Sequence, residues 1–193
     1  MKPWKRYSGV LTVLAICCTG IIGQTRLSPP SLSKTEKKVI SDLEDGAKEY
    51  VALRERVRKT LPKIGDEATA AQIAAYKTSF QNAVRTARVN AKPGDIFTPA
   101  SAALLKRLIK QEFKGWERNE LRKTVLEADT KGVPLKINYP YPESKELVEM
   151  SPALLLALPQ LPKELRYRYI GRNLAILDRD TALILDFMKN ALP

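Results

Sequence analysis

The first half of the chain repeats its apolar positions at the three- and four-residue spacing of amphipathic helices. Between Lys34 and Leu61 the pattern predicts one long helix, which Pro62 ends. Arg54 occupies the one position that the apolar stripe skips. The stripe consists of Ile40, Leu43, Ala47, Tyr50, Val57 and Leu61.

Two further helices are predicted before residue 128. Thr69, with Gln72 three residues later, resembles a capping box that opens a helix reaching about Ala91. Thr98 and Pro99 are a natural cap and first-turn proline for the next helix. Gly115 is a candidate end for this helix, and Asn119 is a candidate cap for a shorter fourth one. The apolar positions are Ile73, Tyr76, Phe80, Ala83 and Ala87 in the first, and Ala102, Leu105, Leu108 and Ile109 in the second.

The pattern changes to extended chain after Lys131. Residues 131–142 hold three prolines, which disfavour a helix. Val133, Leu135, Ile137 and Tyr139 alternate with polar residues and a proline, which predicts a half-buried edge strand. A short helical turn is expected after Ser151-Pro152.

The C-terminal residues predict a three-stranded antiparallel meander. Leu165, Tyr167 and Tyr169 alternate with Arg166 and Arg168, which places the two arginines on the solvent face. A turn at Gly171-Arg172 leads to Leu174, Ile176 and Leu177, and a turn at 178–180 leads to the third strand. In that strand Leu183, Leu185 and Phe187 alternate with Ile184 and Asp186.

Together these patterns predict an α+β fold, with three or four N-terminal amphipathic helices followed by a small antiparallel meander. We expect a helical region over 34–128 and an extended and β region over 129–193. Because so small a sheet needs a helical layer to be stable, the two regions are expected to pack together as one domain.

The N-terminal residues have the form of an export signal. Lys2, Lys5 and Arg6 precede about 14 uncharged residues, 9–22, which are too few for the roughly 20 of an ordinary membrane span. Cleavage of a signal peptide 1–23 is expected after Gly23 or Gly20, and the alternative is an uncleaved anchor through residues 9–22. Lipidation of Cys17 or Cys18 is a further alternative. Residues 24–33 read as a flexible leader. The chain is therefore predicted to be exported, either periplasmic or extracellular.

Composition then limits the chemistry of the exported part. The chain has 193 residues with no histidine, and both of its cysteines lie within the export segment. Loss of three N-terminal cations and no acid would lower the net charge from +12 to +9. Without imidazole or thiol, the Ser-His-Asp and Cys-His nucleophile systems are excluded, as are zinc sites with a histidine ligand. With no phosphate loop, G-x-S-x-G or dinucleotide motif either, we predict a non-enzymatic protein without a cofactor.

A basic cluster is the first candidate binding surface. Lys106, Lys110 and Lys114 recur every four residues, with Arg107 beside them. One interpretation is a patch for an anionic partner, either lipid headgroups or envelope polysaccharide. The other is a solvated helix face, which the interrupting acids Glu112, Glu117 and Glu120 favour. A basic group at 54–59 has the same two interpretations. Export and the lack of aromatic–basic interleaving outside the meander argue against nucleic acid.

Tyrosines and acids are the other candidates. Tyr139, Tyr141, Tyr167 and Tyr169 are candidates for an aromatic surface, although core packing with the hydroxyls at its rim is the favoured interpretation. Asp178, Asp180 and Asp186 together suggest a hard-cation site, but the segment lacks the oxygens and the glycine of a calcium loop. A polar turn is therefore the simpler interpretation.

The segment from Leu161 to Phe187 resembles the C-terminal β-module of the periplasmic nickel/cobalt-homeostasis regulators. The shared features are prolines before the first strand, a Tyr-Arg-Tyr strand, a glycine turn and a closing Leu-Ile-Leu-Asp strand, over about 27 residues. The whole chain resembles uncharacterised secreted proteins of environmental bacteria. The first resemblance implies an exported β-module, and it implies metal control only if polar ligands lie upstream, where the chain offers no histidine and no cysteine outside the signal.

The leading hypothesis is thus an exported non-enzymatic binding or structural protein of the bacterial envelope, with an envelope protein or an anionic envelope polymer or lipid as partner. One alternative is a periplasmic accessory protein of metal or stress homeostasis. The other is an envelope-tethered protein that contacts anionic lipid or polysaccharide. The membrane itself is expected to be touched only by an uncleaved N-terminal segment.

Overall fold

Five helices precede a three-stranded sheet in the computed structural model, which describes residues 32–112, 114–148 and 150–193. The predicted signal peptide and nearly all of the predicted leader lie outside these residues. The α+β prediction is confirmed. The helices are α1 Lys34–Arg58, α2 Ala70–Ala87, α3 Pro99–Glu112, α4 Gly115–Glu127 and α5 Pro152–Ala157.

Capping boxes fix the starts of the two longest helices. In α1 the Ser33 hydroxyl accepts from the Glu36 amide at 3.2 Å, and the Glu36 carboxylate accepts from the Ser33 amide at 2.8 Å. Thr69 and Gln72 form the same reciprocal pair at the start of α2, as their spacing predicts. Each pair satisfies two of the amides that a helix start leaves without partners.

The boundary between α3 and α4 differs from the prediction. Gly115 is the first residue of α4 and does not end α3, and Asn119 lies inside α4 and does not cap it. Lys114 is the residue in extended backbone that precedes α4, with φ −124° and ψ 156°. Gly115 follows with a positive φ of 57°, which glycine adopts without a steric penalty, so the chain turns here.

The sheet is the predicted meander, with strand order β1-β2-β3 and antiparallel pairing throughout. Its register pairs Tyr167 with Ile176 and Leu174 with Met188, and it shifts between Ile176 and Leu177. The strands are β1 Leu165–Ile170, β2 Asn173–Asp178 and β3 Ile184–Met188.

Each face of the sheet is covered by apolar residues, which the prediction of a solvent face did not anticipate. The larger core joins the helices to the face that carries Tyr167, Tyr169, Leu174 and Ile176. A smaller core forms on the other face, where Ala175, Leu177 and Ile184 contact residues from 133–147. Arg166 and Arg168 are consequently half-buried on this second face.

The segment that covers the second face is not the predicted edge strand. Among the described residues, 131–142 contain no strand, only a single bridge between Pro140 and Leu183. Asn138 has a positive φ of 59° and lies in a turn, which interrupts the alternation that Val133 begins. Prolines contribute no amide donor to a ladder, so the pairing with β3 stays short.

None of the described helices is long and apolar enough to cross a membrane.

Candidate functional site

A buried ion pair joins α1 to the sheet. The Arg54 Nε atom donates to Asp178 Oδ2 at 2.8 Å, and the Tyr50 hydroxyl donates to the same oxygen at 2.6 Å. The other carboxylate oxygen accepts from the amides of Asp180 and Thr181, both at 2.8 Å. The Arg54 side chain is 3% exposed and that of Asp178 is 0% exposed. All four hydrogen bonds therefore stabilise a charge that water cannot reach.

The surroundings of Arg54 and Asp178 stabilise the charged form of the arginine and the neutral form of the neighbouring tyrosine. Burial lowers the pKa of Arg54, but attraction to Asp178 and Asp180 outweighs burial and raises it. Burial, followed by the charge of Asp178, raises the pKa of the Tyr50 hydroxyl. The Arg54 guanidinium also lies 5.0 Å from the centre of the Phe80 ring. The sequence suggested that Arg54 belongs to an exposed basic group at 54–59. In the structure Arg54 is instead part of the core.

A second buried carboxylate, Asp186 of β3, holds the loop between α2 and α3. Its Oδ2 atom accepts from the amides of Ile96 and Phe97, both at 2.8 Å, and its Oδ1 atom accepts from the amide of Gly94 at 3.0 Å. Its own strand adds the amide of Phe187 at 2.8 Å. Successive backbone amides pointing at one carboxylate make an anion-binding loop, here filled by the protein itself.

The acids considered for a cation site therefore have separate structural roles. Asp178 binds Arg54 and Tyr50, whereas Asp186 binds backbone amides on a different loop. Asp178 is the last residue of β2, and residues 179–181 form the turn that leads toward β3, so the acidic segment leads into a turn as in the simpler interpretation. Across the described residues there is no group of three or more side chains of the kinds that hold a metal ion.

The predicted basic cluster is divided by the structure. Lys106 and Lys110 lie one turn apart on the exposed face of α3, opposite the buried Leu105 and Ile109. Arg107 forms an ion pair with Glu36 of α1 and is thereby held against that helix. Lys114 is exposed but lies beyond the end of α3. Lys106 and Lys110 are therefore the part of the cluster that forms one cationic face.

Comparison with known proteins gives no indication of a function. The chain matches no family model, no curated protein and no solved structure. The resemblance of residues 161–187 to the nickel/cobalt regulators, and the metal or stress role that it implies, stay predictions.

The four candidate tyrosines do not share one surface. Tyr167 and Tyr169 are buried in the larger core, and Tyr141 is buried in the smaller core on the other side of the sheet. Tyr139 is half-buried. The Tyr167 hydroxyl donates to the carbonyl of Pro159 at 3.1 Å, and the Tyr141 hydroxyl donates to the carbonyl of Glu146 at 2.5 Å. These contacts are those of core residues.

Two surface features escaped the sequence reasoning. Trp116, at the start of α4, has 73% of its surface exposed, and a lone tryptophan in a helical pattern gives no signal of that. A groove of about 390 Å³ lies between the end of α4 and the turn joining β1 to β2. The described residues that line it include Lys131 and Thr130 but no acid. No local motif marks the groove, because its walls are distant in sequence.

Tyr169 and Tyr167 provide a matched pair for a stability test. Among described groups the buried Tyr169 hydroxyl has no hydrogen-bond partner, whereas that of Tyr167 has one. We expect Tyr169→Phe to raise the free energy of unfolding by about 1 kcal/mol, and Tyr167→Phe to lower it by about 1 kcal/mol. Urea unfolding at neutral pH measures both. Equal losses in the two variants would contradict this expectation.

Proposed function

We propose that this protein is an exported, non-enzymatic binding protein of the bacterial envelope, and that it contacts an anionic partner through the exposed face of α3. The observation that carries the proposal is the pair Lys106 and Lys110, side by side on a helix whose opposite face is anchored in the core. Because Leu105 and Ile109 fix the helix, both ammonium groups are presented on a rigid support.

The electrostatic arrangement supports a contact surface. Arg107, the cation next to Lys106, is directed to Glu36, and this ion pair ties the start of α1 to α3. Lys106 and Lys110 form no ion pair with any described residue. Two cations close together favour an anionic partner, and they make the association with this partner sensitive to salt.

The buried acids support a role without catalysis. A general acid or base must reach its substrate, and Asp178 and Asp186 are both fully buried and hydrogen-bonded to the protein. The groove beside α4 is lined by no acid among the described residues. Binding is therefore the activity that these side chains support best.

One cysteine placed on the α3 face tests both export and contact. Ala103 is exposed on that face one turn before Lys106, and Cys17 and Cys18 are replaced by alanine so that the new thiol is the only one. A charged maleimide that does not cross the cytoplasmic membrane is applied to intact cells expressing the full chain with Ala103→Cys. We expect labelling, at a slower rate than in the purified protein, and high salt should restore the faster rate.

Two controls make the result specific. Ser79→Cys, on an exposed position of α2, should be labelled at the same rate in cells and in the purified protein. Lys106→Glu with Lys110→Glu should remove the protection of Ala103→Cys.

Labelling that occurs only after lysis would refute export. Protection that persists after charge reversal would refute contact through the lysines. Hydrolysis of cell-wall, ester or glycoside substrates that a single acid substitution removes would refute a non-enzymatic role.

A further inference from the structure

Two arginines lie close together at the start of β1. Arg166 lies on the strand, on the face of the smaller core, and Arg179 follows β2 in the turn toward β3. In chain order they are 13 residues apart, and the hairpin brings them together.

Arg166 is held by the sheet. Its cross-strand partner is Leu177, a fully buried residue of the smaller core, so the aliphatic stem of Arg166 lies along apolar surface. Its Nε atom is buried and, among the described groups, has no hydrogen-bond partner. A buried guanidinium donor without a partner is costly, and it is satisfied when a ligand supplies an acceptor.

Arg179 is fixed from two directions. Its amide donates to the carbonyl of Glu164 at 2.8 Å, and its Nε atom donates to the carbonyl of Leu165 at 3.1 Å. These bonds hold the guanidinium beside the start of β1. Burial and then the charge of Arg179 lower the pKa of Arg166, and the charge of Asp178 opposes them only in part, as expected when two cations are close together.

No direct ion pair to an acid matches the charges of Arg166 and Arg179 in the described part of the chain. Asp178 is adjacent in sequence to Arg179, but its oxygens accept from Arg54, Tyr50 and two backbone amides on the other side of the strand. Glu164 forms no ion pair with either arginine. Two positive charges therefore remain at one end of the sheet.

We infer that Arg166 and Arg179 form a binding site for a phosphate monoester group. The planar guanidinium presents paired donors that match phosphate oxygens, and a dianionic group balances two cations where a carboxylate balances one. The site shares no residue with the α3 face, so either proposal can fail without the other.

Inorganic phosphate is the first probe, titrated into the purified full chain at constant ionic strength. Binding is followed by NMR through the arginine Nε–Hε signals, while backbone amide signals report that each variant is folded. We expect saturable shifts of Arg166 and Arg179, and Arg166→Gln or Arg179→Gln should weaken binding about tenfold. Arg172→Gln, an exposed arginine at the opposite turn of the same hairpin, should leave the Kd unchanged.

Further arms identify the source of the phosphate and the result that overturns the site. Binding of glucose 6-phosphate supports a soluble phosphoester, and binding to vesicles that contain phosphatidic acid supports a lipid headgroup. Acetate should bind more weakly than phosphate. Acetate binding as tight as phosphate, shifts that do not saturate, or equal weakening by Arg172→Gln would overturn the inference. Arg166→Lys, which keeps the charge but loses the planar fork, should bind more weakly than the unsubstituted chain.

Discussion

Replacement of Arg54 by alanine is expected to lower the free energy of unfolding by about 3–5 kcal/mol, because it leaves the buried Asp178 carboxylate without its cation. The three remaining donors to Asp178, from Tyr50, Asp180 and Thr181, do not replace the lost charge. For a chain of this size the midpoint of thermal unfolding should fall by about 10 °C or more. Calorimetry and urea unfolding measure the effect.

Arg58→Ala is the matched control for this prediction. Arg58 lies one turn further along α1, and its side chain is half exposed and, among the described residues, paired only with Glu55. Surface pairs of this kind contribute about 0–1 kcal/mol, so the control should change stability little. If both variants lost the same small amount, Asp178 would be sufficiently stabilised by its hydrogen bonds alone, and our account of the pair would be wrong.

Asp186→Ala is expected to lower the free energy of unfolding by about 3 kcal/mol or more. The substitution removes the acceptor of the Gly94, Ile96 and Phe97 amides, of which the last two are buried residues. Each buried donor without a partner costs about 1–3 kcal/mol. Urea unfolding measures the total, and amide hydrogen exchange should show the largest loss of protection at Ile96 and Phe97.

Asp95→Ala provides the control within the same loop. Asp95 is exposed, and within the described part of the chain its carboxylate accepts only from the amide of Lys92, at 2.8 Å. Its removal should cost less than about 1 kcal/mol and should leave the exchange of Ile96 and Phe97 unchanged. Faster exchange at these amides in both variants would show that the loop is held by its own turn and not by β3.

The helices and the meander were predictable because each has a regular spacing of apolar residues along the sequence. The stripe containing Leu43, Ala47 and Tyr50 repeats every three to four residues, and these three positions are buried in α1. Tyr167 and Tyr169 alternate with arginines and share one core face. Such patterns depend only on residues that are neighbours in sequence, so the sequence was sufficient to predict these helices and strands.

The polar interior was not predictable, because its partners are far apart in the chain. Arg54 lies 124 residues from Asp178, and its nearest arginines in sequence, Arg56 and Arg58, are exposed. Asp186 looked like the outward position of an alternating strand. A one-residue gap in the apolar stripe at Arg54 was the only local signal, and it fits a buried cation as well as a solvated one.

The smaller core on the second face of the sheet was not predicted, for a related reason. Alternation in β1 implied one face in water, but Ala175, Leu177 and Ile184 supply apolar residues to the opposite face as well. That both faces of β2 are apolar was visible, and it is the signature of a strand buried on both sides. The covering segment, with its prolines and the turn at Asn138, could not be placed without the fold.

The sequence separation between Arg54 and Asp178 also determines how soon after its synthesis Arg54 can meet its partner. A ribosome adds about 5–20 residues per second, so about 6–25 s separate the appearance of Arg54 from that of its partner 124 residues later. Since β3 and Asp186 come later still, the first helices emerge before any strand exists to receive them. The buried contacts of α1 with Asp178, and of the loop between α2 and α3 with Asp186, can therefore form only after the sheet residues have been made.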